Sequence, residues 1–290
     1  MKKILIAGAN SYVGNAVELW LKDAGHEVVV LDMVGDAWRE TDFCVYDTVF
    51  HVAGIAHDTG KKKDAELYYK INRDLAIETA EKVKDSGVGQ FVFMSSMLVY
   101  NGVRNRNITA ETMPKVKGVY GDSKLQADNA IRQMNTEDFR VAIMRPPMIF
   151  GQDCKGNFPR LASLAVKAPF FPKIRNHRSM LHINNLCEIV KLIIDNDSQG
   201  IYFPQNPEYF STTQTAVQIA SLKGKKLRTT KLFNWLVRLM SIFMGSLRKL
   251  FGNLTYDQEI SNHFNGQYQI INNQKSIEES IKTDTSSEEN

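Results

Sequence analysis

Tyr120 and Lys124 lie four residues apart at the start of a predicted helix, and Ser96 follows a predicted strand about two dozen residues upstream. Side chains at positions i and i+4 share one helix face, so the phenol and the ammonium are expected to point into the same space. A nearby cation favours phenolate over phenol and lowers the pKa of a tyrosine from about 10. Tyr120 would then act as general acid and base, with Ser96 holding the substrate oxygen whose proton moves.

The N-terminal segment shows a strand, a glycine turn, a helix and a second strand that ends at Asp32. Residues 8–14, Gly-Ala-Asn-Ser-Tyr-Val-Gly, form the turn. Gly8 permits the tight turn, Gly14 permits close helix–sheet packing, and the pyrophosphate of a dinucleotide would lie at the helix N-terminus. A carboxylate at Asp32 bonds the ribose hydroxyls of NAD and repels the extra phosphate of NADP, so NAD is the expected cofactor. The predicted contacts here are Gly8, Asn10, Ser11, Tyr12, Val13, Gly14 and Asp32.

Short β patterns alternate with helical patterns as far as Arg145. This alternation predicts an α/β fold with a mostly parallel, doubly wound sheet and helices on both faces. Ligands in such sheets bind at the carboxyl ends of the strands. We expect a sheet domain over residues 1–150, a mixed α/β substrate-binding region over 151–275 and an acidic, disordered tail over 276–290. The candidate residues at predicted strand ends are Gly8, Asp32, Gly54, Ser96 and Pro147.

Together these motifs resemble the extended short-chain dehydrogenase/reductase family, in particular its nucleotide-sugar epimerases and dehydratases, from residue 3 to about residue 275. The resemblance implies a Rossmann-type sheet followed by a smaller substrate-binding domain. The family carries GxxGxxG where this chain has Gly8, Ser11 and Gly14. The serine would hold the backbone slightly further from the pyrophosphate, or its hydroxyl would bond a phosphate oxygen.

Further residues take their expected roles from this resemblance. Ala53 and Gly54 would form the small-residue turn against the cofactor, and Asn72 would support Lys124. Pro147 would turn beside the nicotinamide, and Lys124 would also reach the nicotinamide ribose.

Substrate contacts are also implied by the resemblance. Asn157 and Arg178 would contact the diphosphate of a nucleotide sugar, a role that suits the planar fork of an arginine. Together with Ser96 they form the predicted substrate site.

One segment departs from the family. Only thirteen residues separate Asp32 from Tyr46, where relatives have a helix and a third strand. Residues 34–40 would have to supply that strand in a minimal form. The adenine pocket is therefore expected to be shortened, with Asp42 as a candidate contact.

The resemblance implies an NAD-dependent oxidoreductase acting at C4 of a UDP-hexose or UDP-N-acetylhexosamine through a 4-keto intermediate. A UDP-sugar 4-epimerase is favoured, because tightly held NAD suits a closed redox cycle. The alternative is a UDP-4-keto-6-deoxy-sugar C4 reductase in surface polysaccharide synthesis. Met148 supports this alternative, because it stands where galactose epimerases carry an asparagine that touches the nucleotide. A non-catalytic NAD(P)-binding sensor or scaffold is a further alternative. The intact set of Ser96, Tyr120 and Lys124 favours the enzyme.

At 290 residues and 43% apolar content, the chain can form one large sheet domain and a smaller appendage. Cys44, Cys154 and Cys187 are widely separated and the histidines show no ligand spacing, which predicts neither a disulfide framework nor a metal site. His51 and His57 are interpreted as packing or cofactor-cleft residues. Too few apolar residues follow the N-terminus for a signal peptide, so we expect a cytoplasmic protein, and a homodimer.

Charge is uneven in the second half: residues 210–255 contain eight basic residues and no acidic one. Residues 231–251 are also rich in apolar side chains, and a basic amphipathic helix can make a weak contact with an anionic membrane surface. The simpler interpretations are a core helix of the small domain or a subunit contact. The longest uncharged run, residues 239–247, is too short to cross a bilayer. A net charge of +4 and the lack of a base-reading motif argue against nucleic-acid binding.

Overall fold

A computed structural model describes residues 1–55, 65–232, 234–243 and 250–281. The strands are β1 (Lys3–Ala7), β2 (Glu27–Leu31), β3 (Thr48–His51), β4 (Gln90–Met94), β5 (Asn107–Ile108), β6 (Arg140–Met144), β7 (Met148–Phe150), β8 (Phe170–Pro172), β9 (Met180–His182), β10 (Gly200–Tyr202), β11 (Arg228–Thr230) and β12 (Thr255–Tyr256). The helices are α1 (Tyr12–Asp23), α2 (Ala65–Tyr69), α3 (Leu75–Asp85), α4 (Val119–Gln133), α5 (Asn157–Lys167), α6 (Ile183–Asp195), α7 (Thr212–Leu222), α8 (Asn234–Phe243) and α9 (Asn273–Ser280).

The centre of the molecule is a six-stranded sheet in the order β10-β6-β4-β3-β1-β2, and every neighbouring pair is parallel. Its inner strands are buried along nearly their whole length, as the continuous apolar runs of β1 and β4 require. Helices α1 and α6 pack on one face of the sheet, and α3 and α4 pack on the other. This is the predicted doubly wound α/β fold.

The predicted third strand over residues 34–40 is wrong. The structure has a 3-10 turn at Ala37–Glu40 there, and β2 forms the edge of the sheet. A parallel strand beside β2 needs a crossover of a dozen or more residues, and residues 32–34 leave no room for one. Trp38, only 1% exposed, fills the space instead and packs in the same core as Phe43 and Ala80.

The second half of the chain is divided between two places. Short parallel pairs (β7 with β9, β8 with β11) and helices α5, α7 and α9 build a smaller region around its own core. The pair of β5 with β12 packs in a separate cluster with Met97, Val99 and Tyr100. Helix α6 and strand β10 return to the large sheet, where Gly200 pairs with Ala142. Residues 183–202 therefore belong structurally to the sheet, although they fall within the predicted substrate-binding region 151–275.

The folded chain extends further than the predicted tail of residues 276–290 allows. Helix α9 continues to Ser280 because Ser276 and Ile277 are buried, and Ser276 Oγ accepts a hydrogen bond from Asn206 at 2.9 Å. Residues 282–290 lie outside the described residues. Within the described residues, no helix combines the length and the apolar character needed to span a bilayer.

Candidate active site

A cavity of about 1920 Å³ opens at the carboxyl ends of the sheet strands, where ligands of doubly wound folds bind. The structure brings together here most of the residues expected to bind a dinucleotide or to act on a substrate. The predicted residues that line it are Gly8, Asn10, Ser11, Tyr12, Val13, Asp32, Ala53, Gly54, Ser96, Tyr120, Lys124 and Pro147.

The glycine turn that follows β1 depends on two glycines. Gly8 has a φ of +136°, and a Cβ there would lie 2.7 Å from the backbone nitrogen of Ala53. A Cβ at Gly14 would lie 3.0 Å from the Gly8 carbonyl oxygen. Both positions therefore require glycine, and the turn delivers the N-terminus of α1 to the cavity, where backbone N–H groups favour an anion.

Ser11 is the N-cap of α1. Its hydroxyl accepts a hydrogen bond from the Gly14 N–H at 2.9 Å and donates one to the Gly8 carbonyl at 3.1 Å. Both of these contacts stabilise the turn itself. The Gly14 N–H is likewise engaged, so one of the helix N-terminal donors already has a partner.

Asp32 marks the end of the cavity beside β2, with its carboxylate accepting a hydrogen bond from the Val34 N–H at 2.9 Å. Arg39 also lines this end, but Glu78 holds its guanidinium at 2.5 and 2.6 Å, and Asp36 bonds it as well. Two carboxylates thus hold this cation, and the carboxylate of Asp32 lines the same end of the cavity. Asp42 does not line the cavity, and its carboxylate accepts from the Cys44 N–H instead.

Trp38 and Arg39, from the segment where a third strand was expected, line the cavity together with Glu78 of α3. Of these three side chains, sequence reasoning did not identify Trp38 and Glu78. Arg39 lies over the Trp38 ring, 4.7 Å from its centroid. The one available signal was Trp38, a large aromatic residue in an otherwise polar connection.

Asn72 lies behind the cavity, fully buried in a π-helical turn, Lys70–Asp74, between α2 and α3. Its side-chain oxygen accepts from the Ile55 N–H at 2.9 Å, and its amide donates to the Ile55 carbonyl at 3.1 Å. A Cβ added at Gly54 would meet both this oxygen and Lys124 Nζ. Asn72 is thus placed to support Lys124, and π-turns are frequent at functional sites. His51 is buried beside Lys124, whereas His57 lies outside the described residues.

Ser96 and Tyr120 both line the cavity beside β4, and the Ser96 side chain is close enough to Tyr120 to lower its pKa. Ser96 follows β4, and Tyr120 is the second residue of α4, which begins after Gly118 at a φ of +85°. Tyr68 packs edge-on against Tyr120 with ring centroids 6.3 Å apart. Burial raises the pKa of Tyr120, more than Ser96 lowers it. The predicted lowering of this pKa is therefore wrong for the protein without ligands.

The reason is the position of Lys124. Its ammonium points to the end of β4, donating to the Met94 carbonyl at 2.9 Å, and lies 4.9 Å from the centroid of the Phe93 ring. Within the described residues no carboxylate lies within 4 Å of it. Burial lowers the pKa of Lys124 to about 8, and the more distant Asp128 opposes that shift.

A buried ion pair joins helix α4 to the residue that follows β6, and sequence reasoning missed it. Arg145 bonds both oxygens of Asp128, each at 2.8 Å, and Ser95 donates to the same carboxylate at 2.8 Å. Arg145 also donates to Tyr100, and Tyr256 of the smaller region donates to the Arg145 carbonyl at 2.6 Å. The available signal was Asp128 one helical turn after Lys124.

Asn157 and Arg178 do not line the large cavity but line a separate one of only about 10 Å³ together with Met148 and Phe210. The Arg178 side chain donates to the Gly252 carbonyl at 2.9 Å, and its buried Nε has no hydrogen-bond partner among the described residues. Burial lowers the pKa of Arg178 to about 10. A buried guanidinium with an unused donor is suited to an anion such as a diphosphate.

The arrangement is thus a long cavity with an anion-binding helix N-terminus in the middle, a carboxylate-rich end and a Ser–Tyr–Lys end. Such a set can move a proton to or from a substrate oxygen at the Ser96–Tyr120 pair. The residues at the glycine turn fit a dinucleotide, because the turn leaves no Cβ between its backbone and the cavity at Gly8.

Comparisons with known proteins agree with this geometry. A UDP-glucose 4-epimerase of Vibrio cholerae is 26% identical over 88% of this chain and 87% of its own length. A UDP-glucose 4-epimerase of Bacillus subtilis (strain 168) is 27% identical over 53% of this chain and 54% of its own length. These identities place the chain among distant relatives of such enzymes.

Solved structures share the fold. A UDP-glucuronic acid 4-epimerase from Bacillus cereus in complex with NAD has a TM-score of 0.74 at 16% identity, covering 96% of this chain and 95% of that one. A dTDP-4-dehydrorhamnose reductase from Bacillus anthracis str. Ames in complex with NADP has a TM-score of 0.72 at 17% identity, covering 96% of this chain and 98% of that one. The model of the NAD dependent epimerase/dehydratase family matches residues 4–203. With its glycine turn, its Ser–Tyr–Lys set and this match, the chain belongs to the NAD-dependent epimerase/dehydratase family.

Proposed function

We propose that the protein is an NAD-dependent 4-epimerase of UDP-hexoses or UDP-N-acetylhexosamines. The observation that carries the proposal is the Ser96–Tyr120 pair, with Lys124 one turn along the same helix, opening onto the cavity that contains the glycine turn and Asp32. The curated relatives named UDP-glucose 4-epimerase support the sugar-nucleotide substrate.

Each residue takes a defined part in this proposal. Tyr120 takes the proton of the sugar C4 hydroxyl, and Ser96 bonds the same oxygen and holds it in line. Lys124 supplies the positive charge that favours phenolate once its ammonium turns from the Met94 carbonyl toward the substrate side of the cavity. The glycine turn and Asp32 would hold NAD, which when bound would supply a reversible hydride acceptor for C4. Asn157 and Arg178 bind the diphosphate.

The charge beside β2 supports NAD over NADP. Asp32, Asp36 and Glu78 carry three negative charges against the single positive charge of Arg39. A 2′-phosphate would therefore meet net repulsion, and Arg39 would have to leave Glu78 to bind it. The ribose hydroxyls of NAD can instead donate to Asp32.

A 4-keto-sugar reductase is the second candidate, and the raised pKa of Tyr120 favours it. A phenol that keeps its proton at neutral pH is ready to donate to a ketone oxygen, whereas oxidation of an alcohol requires the phenolate first. Met148 in the small cavity, where galactose epimerases carry an asparagine, points the same way. The fold is also that of a dTDP-4-dehydrorhamnose reductase.

The test is to incubate the purified protein with UDP-glucose or UDP-N-acetylglucosamine and no added cofactor, and to measure the C4 epimer. We expect the epimer to form with wild-type protein and not with Tyr120→Phe. If neither sugar changes but a UDP-4-keto-6-deoxy sugar is reduced with matching loss of NADH absorbance, the reductase is correct. If the protein binds NAD and turns over neither substrate, it is a sensor or scaffold.

A further inference from the structure

Helix α8 is only partly the core helix that its apolar composition suggested. Val237 packs against the core of the smaller region. Trp235 and Leu239, one turn apart on the same helix face, are 67% and 48% exposed, and Leu232 just before the helix is 69% exposed. Exposed large apolar side chains that cluster on one element mark an interaction site rather than ordinary surface.

Basic side chains lie on elements of the smaller region that are linked to α8. Strand β11 pairs with β8 so that Arg228 lies opposite Phe170, and both are exposed. Asn234 at the start of α8 donates to the Lys173 carbonyl at 2.8 Å, which brings Lys173 next to the helix. Lys225 donates to the carbonyl of Val166 near the end of α5. The exposed cations of these neighbouring elements are Lys167, Lys173, Arg175, Lys225, Lys226, Arg228 and Lys231.

These seven cations form no ion pair with another residue that the structure describes. Among the residues that the structure describes, none of them has a carboxylate within 4 Å, and the sequence has no acidic residue between positions 209 and 256. We name the exposed face of α8 together with these cations the apolar–basic surface. This surface is complementary to a partner that has an anionic outer layer and an apolar layer beneath it.

We propose that the apolar–basic surface docks the protein on the anionic headgroups of a lipid bilayer. Tryptophan is enriched at the boundary between headgroups and acyl chains, and Leu232 and Leu239 are placed beside Trp235 to insert there. The lysines and arginines around them are attracted to anionic lipid phosphates and carboxylates. This proposal is independent of the proposed catalytic function.

A second copy of the chain fits this surface less well. A closed two-fold dimer places the same patch against itself, which would bring one set of seven cations against the other without a carboxylate between them. Single-stranded nucleic acid also binds basic surfaces, but it requires stacking aromatic side chains. Here the exposed aromatic side chains are Trp235 and Phe170, which lie on separate elements, and the other exposed apolar side chains, Leu232, Leu239 and Met240, cannot stack on bases.

The first experiment is sedimentation of the full chain with vesicles of phosphatidylcholine and phosphatidylglycerol in equal parts, compared with phosphatidylcholine alone. We expect binding to the anionic vesicles only, with a blue shift of tryptophan fluorescence. Trp235→Ser combined with Leu239→Ser should reduce the partition coefficient about tenfold. The matched control, Leu19→Ser with Met113→Ser, removes side chains that are 65% and 79% exposed elsewhere and should bind as the wild type does.

The second experiment tests the charges. Lys226→Glu with Arg228→Glu should reduce binding at least about tenfold, since each basic side chain near an anionic surface contributes about 1 kcal/mol. Arg104→Glu with Lys115→Glu, a charge reversal at other exposed positions, should not.

Three outcomes would overturn the proposal. In the first, the wild type would show no preference for anionic vesicles, either because it stays in the supernatant with them or because it binds neutral vesicles equally well. In the second, Trp235→Ser with Leu239→Ser would convert a dimer to a monomer in analytical ultracentrifugation, which assigns the surface to a subunit contact. In the third, a single-stranded oligonucleotide would bind in a way that depends on Trp235 and would displace the vesicles.

Discussion

Lys124 and Arg39 are two cations of the same cavity in opposite environments. Lys124, beside β4, is buried against a carbonyl and an aromatic ring, and its pKa falls to about 8. Arg39, beside β2, is half-buried and held by two carboxylates, and its pKa is raised. The buried cation is the one whose charge can change near neutral pH, whereas the half-buried one has its charge fixed by its partners. The chemistry is therefore expected beside β4 and the recognition of the ribose beside β2.

The largest expected effect separates chemistry from binding. Tyr120→Phe should reduce turnover by about a hundred- to ten-thousandfold, the usual contribution of general acid–base catalysis, and should leave NAD affinity nearly unchanged. Tyr69→Phe is the matched control, because Tyr69 lines the same cavity but donates to Asp122 at 2.7 Å. Steady-state kinetics and NAD titration measure both quantities. Near-normal turnover of Tyr120→Phe would remove the proton-transfer role.

The next effect concerns stability. A lowered folded-state pKa means that the fold disfavours the charged lysine below about pH 8, and that this cost is relieved as the pH rises toward 10.5. Lys124→Met should therefore raise the free energy of unfolding of the cofactor-free protein by about 1–2 kcal/mol at pH 7, after the loss of the Met94 bond is included. The gain should shrink at pH 10.

Urea denaturation at both pH values measures this difference. Arg39→Met is the comparison at the other end of the cavity and should not stabilise the fold, because its charge is already balanced by Glu78 and Asp36. Catalytic activity should be lost in Lys124→Met. A Lys124→Met protein less stable than the wild type at pH 7 would show that burial of this charge is not costly.

Cofactor preference tests the carboxylate-rich end. We expect wild-type protein to bind NAD at least about tenfold tighter than NADP, and Asp32→Ala to narrow this ratio by weakening NAD. Arg39→Met should leave the ratio in place or nearly so, since its guanidinium is engaged by Glu78. Fluorescence titration with both cofactors gives the ratio. Tighter binding of NADP by the wild type, lost in Arg39→Met, would reverse the roles assigned to Asp32 and Arg39.

The smallest expected effect lies at the glycine turn between the two ends. Ser11→Gly frees the Gly14 N–H from the serine hydroxyl and removes a Cβ, so NAD should bind about two- to fivefold tighter. The helix should lose only a few tenths of a kcal/mol, because glycine is a tolerable N-cap. Ser11→Ala frees the same N–H but keeps the Cβ, and comparison of the two dissociation constants separates these contributions. Weaker binding in both variants would show that the Ser11 cap organises the anion site.

The sequence predicted the parts of the fold that local constraints determine. The apolar run of β1, the glycines at positions 8 and 14 and the strand before Asp32 follow from nearest-neighbour sterics and alternation, and the structure has each of them. The prediction of a strand at residues 34–40 was wrong, because a strand beside β2 needs a crossover connection and too few residues are available for one. This requirement follows from the arrangement of the whole sheet and not from the local sequence. The side chain of Trp38 fills the space beside β2 instead, and no periodicity in the segment predicts that this residue is buried.

The sequence predicted which residues line the candidate site better than it predicted the charges and pKa shifts of those residues. Helical spacing places Tyr120 and Lys124 on one face, but the direction of the lysine depends on the Met94 carbonyl, thirty residues away in the chain. That contact explains why the predicted pKa shift of Tyr120 has the wrong sign. The Arg145–Asp128 pair was missed for the same reason, since it forms only when α4 packs on β6.

The π-helical turn that holds Asn72 has a consequence for the angular register of its helix. Each residue of an α-helix advances about 100° around the axis, so one extra residue rotates everything beyond it by that amount. Before the turn, Tyr68 faces Tyr120, and after it, Ala76 and Ala80 face the core. Deletion of a single residue within Lys70–Asp74 should restore a regular helix and rotate one of these two faces away from its target. The segments before and after the π-helical turn thus present two faces at a fixed angle to each other. The number of residues in the turn is therefore as constrained as the identity of those residues.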